Sequence, residues 1–513
     1  MIVAAVIRLD GTPLTFASLV QIGGRLGVSL ADPCGLKRVR KARSVLEKQI
    51  ASGVPVYGST TGGGAMKDIA WTTEELETFN LGLVRAHHFG TGPLFPLSIV
   101  RNAMAIRVNT ALTGRVGCSA ELVEAYLRLL AADVVPVVRR TGSIGCADIG
   151  LMGQIGAVLT GVGEAVFRGR RLSAEAALAE AGLRPVSMAS RDSLASISIN
   201  AVGYAAAAEA LRRAASTVRM LMATGLTTAA ALGVSRDPWR AVAHVGTRHE
   251  AETGAWLCAA AEGWKWPGTT HIQDPLSFRM MAQVFGTALE SLAIAGRTVL
   301  AATGRTDDNP VVVEESILTS GGSLPLDVAL FMQTAQLAIA HVARNSFNRC
   351  VLLGNGARRD LPINLVPPRA VATGFGPIIK LAGELFVRVL SMSAPISAQS
   401  LVVADGLEDE AAFLPLIVER FERQVRALCR MAALEGLLAA QAIDILGDHP
   451  RAIPEFIYNR VRAHAAVYSV DRPLSSEVEA IEIGLAADET VEALISRAPL
   501  ADLDSFFALG VVR

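Results

Sequence analysis

Residues 195–232 read ASISINAVGYAAAAEALRRAASTVRMLMATGLTTAAAL, a run rich in alanine and leucine in which only Glu209, Arg212, Arg213 and Arg219 carry charge. Alanine, leucine and methionine favour helix, and the apolar residues recur at three- and four-residue spacing. The spacing predicts one long, largely buried helix over 195–232. The same pattern recurs over 276–303, 327–350, 375–393 and 409–446. At about 1.5 Å per residue, elements of 25 residues or more imply a bundle with lengths near 40 Å. Long apolar helices in one chain pack most simply as a bundle.

Outward from that core, residues 36–52, 74–88, 95–113, 119–132 and 148–162 predict shorter helices, with residues 1–60 otherwise a short lead-in. Residues 304–326 hold Asp-Asn-Pro and Ser-Gly-Gly, which predict a hairpin or loop excursion. Pro450, Pro454 and Pro473 mark a break before a small helical C-terminal piece. The expected organisation is an N-terminal mixed helical domain, 1–194, a central long-helix bundle, 195–450, and a C-terminal helical piece, 451–513.

Composition narrows the function classes. Lys plus Arg and Asp plus Glu are 48 each, so net charge supplies no case for nucleic acid or an anionic membrane. An apolar share of 51% against 19% charged points to surface buried between subunits. The six cysteines stand singly, without a CxxC pair, so a zinc site or disulfide framework is not expected. Reduced thiols in a cytoplasmic protein are the plain reading. The opening MIVAAVIRLDGTPLTF carries Asp10 and no small-residue cleavage site, and is not read as a signal peptide. The uncharged runs 193–208 and 220–235 fall short of the roughly 20 residues a membrane span needs.

Four places could carry chemistry. Tyr57 opens the loop YGSTTGGG, 57–64, where glycines permit unusual backbone angles. It reads either as a mobile acid/base group or as a turn tyrosine bonded to backbone. The run RRTGSIGCA, 139–147, leads into the helix from Asp148. Backbone N–H groups there could hold an anion, and Cys146 beside a helix start would have a lowered pKa. The alternative reading of Cys146 is a buried packing residue, as lone cysteines usually are. In HIQDPLSFR, 271–279, Arg279 suits bidentate capture of a carboxylate, or an ordinary ion pair. His87 and His88 adjoin a Gly90-Thr-Gly turn; sequence neighbours rarely ligate one metal, so at most one faces a site and no metal is expected.

Together these segments resemble the aromatic amino acid lyase family, which includes the histidine, phenylalanine and tyrosine ammonia-lyases. The likeness runs from about residue 7 to 480. IRLDGTPLT, VYGSTTGGG, NLGLVRAHHFGTGPL, GEAVFRGRRL, HIQDPLSFR, TDDNPVV, LTSGG and VDRPLSSEVEAI fall in the family's order. The resemblance implies a mainly α fold of the ammonia-lyase (L-aspartase/fumarase-like) type, with a long central helix bundle. It also implies a homotetramer with active sites shared between subunits. By the resemblance Tyr57 matches the tyrosine that takes the β-proton. Arg279 matches the arginine that binds the substrate carboxylate. Asn200 and Gln273 match residues that orient the substrate, and His87 or His88 would contact a heteroaromatic ring.

The departures from the family pattern are specific. Family members carry Gly-Ala-Ser-Gly-Asp where this chain has Gly145-Cys146-Ala147-Asp148. With Asp148 paired to the family aspartate, positions through Leu172 stay in register, so three residues have become two. The family's methylidene-imidazolone forms by cyclisation around that serine, and neither the serine nor the glycine nitrogen is present; no cofactor is expected. Leu276 stands for a tyrosine, and Gly63 and Leu324 for phenylalanines. Glu384 matches an acid of the family, with Phe386 where a lysine belongs, and Glu408 is the nearest acid to a further family glutamate.

Without the electrophile, loss of ammonia from a free amino acid loses its activation. The expected activity is elimination of an already activated amine, such as trimethylamine, from a small betaine or amino-acid-like carboxylate. The family includes one such activity, ergothionase, which releases trimethylamine from a trimethylated 2-thiohistidine. Two other readings stay open: a non-catalytic ligand-binding paralogue, and an enzyme of another reaction class built on Cys146.

Overall fold

The computed structural model describes residues 5–69, 71–264, 271–356, 358–399 and 401–510. The chain opens with β1 (Ala5–Leu9), α1 (Phe16–Gly23) and β2 (Gly27–Ala31), the strands pairing in parallel. Then come α2 (Pro33–Ala51), α3 (Thr73–Ala86), β3 (Thr91–Leu94), α4 (Leu97–Ala111) and α5 (Ala120–Ala132). β4 (Val135–Pro136), β5 (Arg139–Thr141), α6 (Ile149–Leu159), β6 (Glu164–Phe167), β7 (Arg170–Ser173), α7 (Ala174–Glu180) and α8 (Asp192–Ile197) complete the N-terminal half. Local chemistry starts these helices. The Thr15 hydroxyl accepts the Ser18 N–H ahead of α1. Asp32 accepts the Cys34 and Gly35 N–H groups ahead of α2, and Thr72 and Glu75 form a capping box at α3.

The bundle follows: α9 (Ala201–Ala231), α10 (Asp237–Val245), α11 (Arg248–Ala259), α12 (Leu276–Arg279), α13 (Met281–Ala302), the hairpin β8 (Val311–Val313) and β9 (Ser316–Leu318), α14 (Leu326–Gly354), α15 (Ile379–Ser391) and α16 (Leu414–Leu446). α9 lies along α16, with α4, α13, α14 and α17 (Ala452–Arg462) around it. Its alanines are almost all buried, which lets neighbouring backbones approach closely. Inside the bundle Arg349 pairs with Glu435 at 2.8 Å, and Glu435 also accepts from Thr228 and Ser346. This buried, fully partnered pair locks the register of α9, α14 and α16; removing one partner costs about 3–5 kcal/mol. Three short helices, α18 (Ser475–Ala486), α19 (Asp488–Arg497) and α20 (Ala501–Phe506), close the chain.

The mainly α fold and the bundle agree with expectation, and 304–326 is indeed a hairpin. Three differences are informative. The lead-in contains β1, α1 and β2, whose pairing joins residues about twenty apart and leaves little periodicity. Residues 237–259, not read as helical, form α10 and α11. The run 195–232 breaks between α8 and α9, because the Asn200 N–H is taken by the Asp307 carboxylate at 3.1 Å. By length and composition the stretches 192–231, 281–302 and 326–354 could cross a membrane, against the sequence reading of the alanine-rich runs as too short. In the fold 89% of the apolar 18-residue window of the first is buried, against 56% in each of the other two, and the third leaves Leu330 and Leu337 exposed.

Candidate functional site

The segment before α6 is shaped by long-range bonds. Gly145 has φ +73°, and a Cβ there would sit 2.6 Å from the Phe413 and Leu414 nitrogens, so both angle and approach require glycine. Ala147 follows with φ +53°, uncommon for a residue with a Cβ. It is held because its N–H donates to Ser323 O at 2.8 Å while the Asp148 N–H donates to Ile199 O at 3.0 Å. The Phe413 N–H donates to Ile144 O at 2.8 Å. Segments 144–148, 199–203, 320–324 and 411–414 thereby meet at one place.

Asp148 is fully buried. Its Oδ2 accepts the Gly203 N–H at 2.6 Å, satisfying one free donor in the first turn of α9, and its Oδ1 accepts the Ser143 hydroxyl at 3.0 Å. Burial pushes its carboxyl up to about 7, aided by the negative Asp307, while the two hydrogen bonds oppose the rise. A carboxyl raised from 3.8 in this way contributes stability that is fully present below pH 4 and lost as pH rises through about 7. In Asp148→Asn the amide oxygen can take the Gly203 N–H and its NH₂ can donate to Ser143. The variant is therefore expected to be more stable than wild type at pH 8–9, by up to roughly 4 kcal/mol, and to converge with it towards pH 4. Melting temperatures of both proteins from pH 4 to 9 test this; a difference that stays flat with pH would refute it.

Cys146 lies beside Ser323, with Sγ 3.3 Å from Oγ. Its environment corrects the sequence expectation of a lowered thiol. Burial pushes the Cys146 thiol up, and the negative Glu408 and Asp307 add to this, against one hydrogen bond to Ser323. Desolvation and nearby acids outweigh the helix start, so the thiolate is disfavoured.

Asn200 stands at the head of α9. Its Nδ2 donates to Asp307 Oδ2 and to Ser323 O, both at 2.8 Å. Tyr204, one turn along, donates its hydroxyl to Asp307 Oδ2 at 2.7 Å. Asp307, Tyr204 and Ser323 were not singled out from the sequence. A lone tyrosine inside an alanine-rich buried helix was a usable signal, since a buried phenol requires a partner.

The Tyr57 loop reaches the same region. Gly58, at φ +61°, has no room for a Cβ against Leu194, and Ser190 donates to Ser59 O at 3.0 Å. The Gly64 N–H donates to Tyr57 Oη at 2.9 Å. The turn at 64–66 packs against 404–406, and Val403 bridges to Glu408, whose charge is felt at Cys146. One continuous segment, 403–413, thus connects the Tyr57 loop to the Cys146 run.

The two histidines part company. His87 Nδ1 lies 2.7 Å from Leu83 O, which can only accept, so Nδ1 carries the proton. Its backbone packs on Gly153 of α6. The His88 ring instead lies against Gly163, past the far end of α6. Among the described residues no group of three His, Cys, Asp or Glu side chains is placed to hold a metal ion.

Arg279, Gln273 and Glu384 are not brought to Tyr57 within one chain. The Ser277 carbonyl accepts from Asn345, 19 residues into α14, whereas Ser323 precedes the start of that helix. At 1.5 Å per residue this separates the Arg279 segment from Asn200 by about 30 Å. Asp274, next to Gln273, accepts the Ser235 N–H beyond the far end of α9, about 45 Å from Asn200 by the same rise. Gln273 is exposed, and the Arg279 guanidinium forms no hydrogen bond or ion pair among the described residues. Glu384 is exposed and paired with Arg388 at 2.6 Å, on the stretch of α15 beside Phe347.

Comparison with known proteins bears on this arrangement. The model of the family described as aromatic amino acid lyase matches residues 14–466. A histidine ammonia-lyase of Pseudoalteromonas atlantica is 28% identical over 502 residues, covering 96% of each chain. That of Bacillus subtilis is 26% identical over 486 residues, 92% of this chain and 95% of the other. The crystal structure of the ergothioneine-degrading ergothionase of Treponema denticola, in complex with desmethyl-ergothioneine sulfonic acid, superposes with TM-score 0.91 at 27% identity. It covers 94% of this chain and 98% of that one. Histidine ammonia-lyase of Trypanosoma cruzi, at 22% identity and TM-score 0.88 over 99% and 98% of the two chains, shares the fold.

Proposed function

The chain belongs to the aromatic amino acid lyase family, and from that premise we propose that it is a carbon–nitrogen lyase working without the family's methylidene-imidazolone. Its substrate is a small betaine carboxylate, ergothioneine or a histidine betaine, from which it eliminates trimethylamine. One observation carries this reading: the run Gly145-Cys146-Ala147-Asp148 does not fit the cyclised group. Closing a ring around Cys146 requires the Ala147 nitrogen to reach the Gly145 carbonyl carbon. That N–H is committed to Ser323 O at 2.8 Å, the Gly145 oxygen receives the Ala412 N–H at 3.3 Å, and no serine hydroxyl is present to leave. The likeness to ergothionase supports the same substrate class.

A quaternary ammonium needs no electrophile, because it departs as a neutral amine. Tyr57 takes the β-proton, the C–H electron pair becomes the Cα=Cβ bond, and the Cα–N pair leaves with trimethylamine. The acids near Cys146, Glu408 and Asp307, favour a cationic group there. His87 presents its free Nε2 side to a heteroaromatic ring. Arg279 holds the carboxylate and Gln273 helps orient it, both reaching the Tyr57 site from a neighbouring copy in a homotetramer. The exposed apolar residues of α14, Leu330, Phe331 and Leu337 among them, support that assembly.

The test is a product screen in which ergothioneine, histidine betaine, L-histidine, L-phenylalanine and L-tyrosine are each incubated with the purified protein. Amine and unsaturated acid are read by mass spectrometry. Trimethylamine from a betaine is expected, with kcat/KM at least about 10³ above that for any plain amino acid. Ammonia release from L-histidine without turnover of either betaine overturns the proposal.

A further inference from the structure

We infer that Asp307 and Tyr204 are positioning residues that lock the Asn200 amide, so that its oxygen rather than its NH₂ meets a cationic group bound beside Cys146. The inference rests on the betaine reading and adds to it the device that orients the substrate. A primary amide can sit in two orientations related by a half-turn, exchanging donor and acceptor ends. Here both amide hydrogens are claimed: one by Asp307 Oδ2 and one by Ser323 O, each at 2.8 Å. Neither partner can donate, so the flipped amide would set an oxygen against two acceptors.

Asp307 is itself held in place. Its Oδ2 also accepts the Asn200 backbone N–H at 3.1 Å and the Tyr204 hydroxyl at 2.7 Å. Its Oδ1 lies 3.8 Å from Arg305, which is bound in turn to Asp327 at 2.6 and 2.8 Å. Burial and the adjacent Asp307 charge keep the Tyr204 phenol protonated, so it remains a donor.

What is left over points to a ligand. Asn200 is wholly buried, and its Oδ1 has no hydrogen-bond partner among the described residues. Native proteins rarely leave such an acceptor unused. The amide adjoins the Cys146 segment through Ser323, whose carbonyl accepts from both Asn200 and Ala147 and whose Oγ lies 3.3 Å from Cys146. An oxygen fixed at that place attracts an ammonium, or the polarised methyl hydrogens of a quaternary one, and repels a carboxylate. It therefore sets which end of a zwitterion lies over Cys146.

The experiment compares two ligands of one shape by calorimetry: histidine betaine and its carbon isostere without the ammonium charge, 2-(imidazol-4-ylmethyl)-3,3-dimethylbutanoate. Every protein compared carries Tyr57→Phe, so that the betaine is not consumed, and wild type here means Asp307 and Tyr204 unaltered. Wild type is expected to prefer the betaine by at least about 10-fold. Asp307→Asn, whose amide can donate to a flipped Asn200, is expected to bring that ratio within about 3-fold. Tyr204→Phe, which loosens Asp307 but keeps its charge and the packed ring, is expected to lower it by at least about 3-fold; since Asp307→Asn also removes a charge felt at Cys146, Tyr204→Phe decides the test. Mere loss of stability would weaken both ligands alike and leave the ratio unchanged. Wild-type preference retained unaltered in the folded variants overturns this inference and leaves the betaine reading standing. Equal binding of the two ligands with Asp307 and Tyr204 unaltered overturns this inference alone; no binding of histidine betaine, together with no amine release from either betaine in the product screen, overturns both.

Discussion

Tyr57→Phe is expected to lower kcat for amine release by about 10³-fold, inside the 10²–10⁴ range that a positioned acid/base group contributes. The ring stays, so its contacts with the half-buried loop persist. What disappears is the oxygen that accepts the Gly64 N–H at 2.9 Å. Losing that bond costs about 1 kcal/mol, too little to unfold the chain. The variant should therefore melt close to wild type and bind the betaine with KM changed less than about 3-fold, as expected for a group needed in the transition state more than in the ground state. A folded variant retaining more than a third of wild-type kcat would remove Tyr57 from the chemistry. A matched fall in melting temperature and in ligand binding would make it a loop residue only.

The second large effect comes from mixing two inactive proteins. Arg279→Met removes the guanidinium but keeps a long side chain, and should abolish carboxylate binding; Tyr57→Phe removes the base. The two residues lie at opposite ends of the bundle, with about 30 Å between the Arg279 segment and Asn200. If each site takes Tyr57 from one copy and Arg279 from another, co-refolded or co-expressed variants regenerate intact sites. Random assembly leaves both wild-type residues in about a quarter of the sites, so activity should return to near a quarter of wild type. No recovery in mixed assemblies of confirmed composition would sink the shared site.

Both predictions draw on residues whose place in the motifs was plain while their place in space was not. Tyr57 and Arg279 stand in short, ordered motifs, and the resemblance carried their roles. Nothing local says that α14 puts one helix length between the Arg279 segment and Asn200. Asp307 was visible only as part of TDDNPVV. Its importance comes from meeting Asn200 and Tyr204, more than a hundred residues away. Cys146 had two readings in the sequence, a lowered thiol at a helix start and a packing residue, and burial beside Ser323 decides for the second. The break at 198–200 was missed for a related reason: a carboxylate from residue 307, not the local sequence, takes the N–H that a continuing helix would use.

By itself, then, the sequence determined the helical character, the places of the long helices and the shortening of the Gly145–Asp148 run. Those follow from periodicity, propensity and a count of residues, all properties of neighbours along the chain. Only the tertiary structure decided that Ala147 turns its N–H to Ser323, that Asp148 is buried under α9, that Asn200 is locked by Asp307, and that Arg279 stands apart from Tyr57 in its own chain. Those depend on desolvation and on hydrogen bonds between segments far apart in sequence, and such terms exist only once the helices have packed.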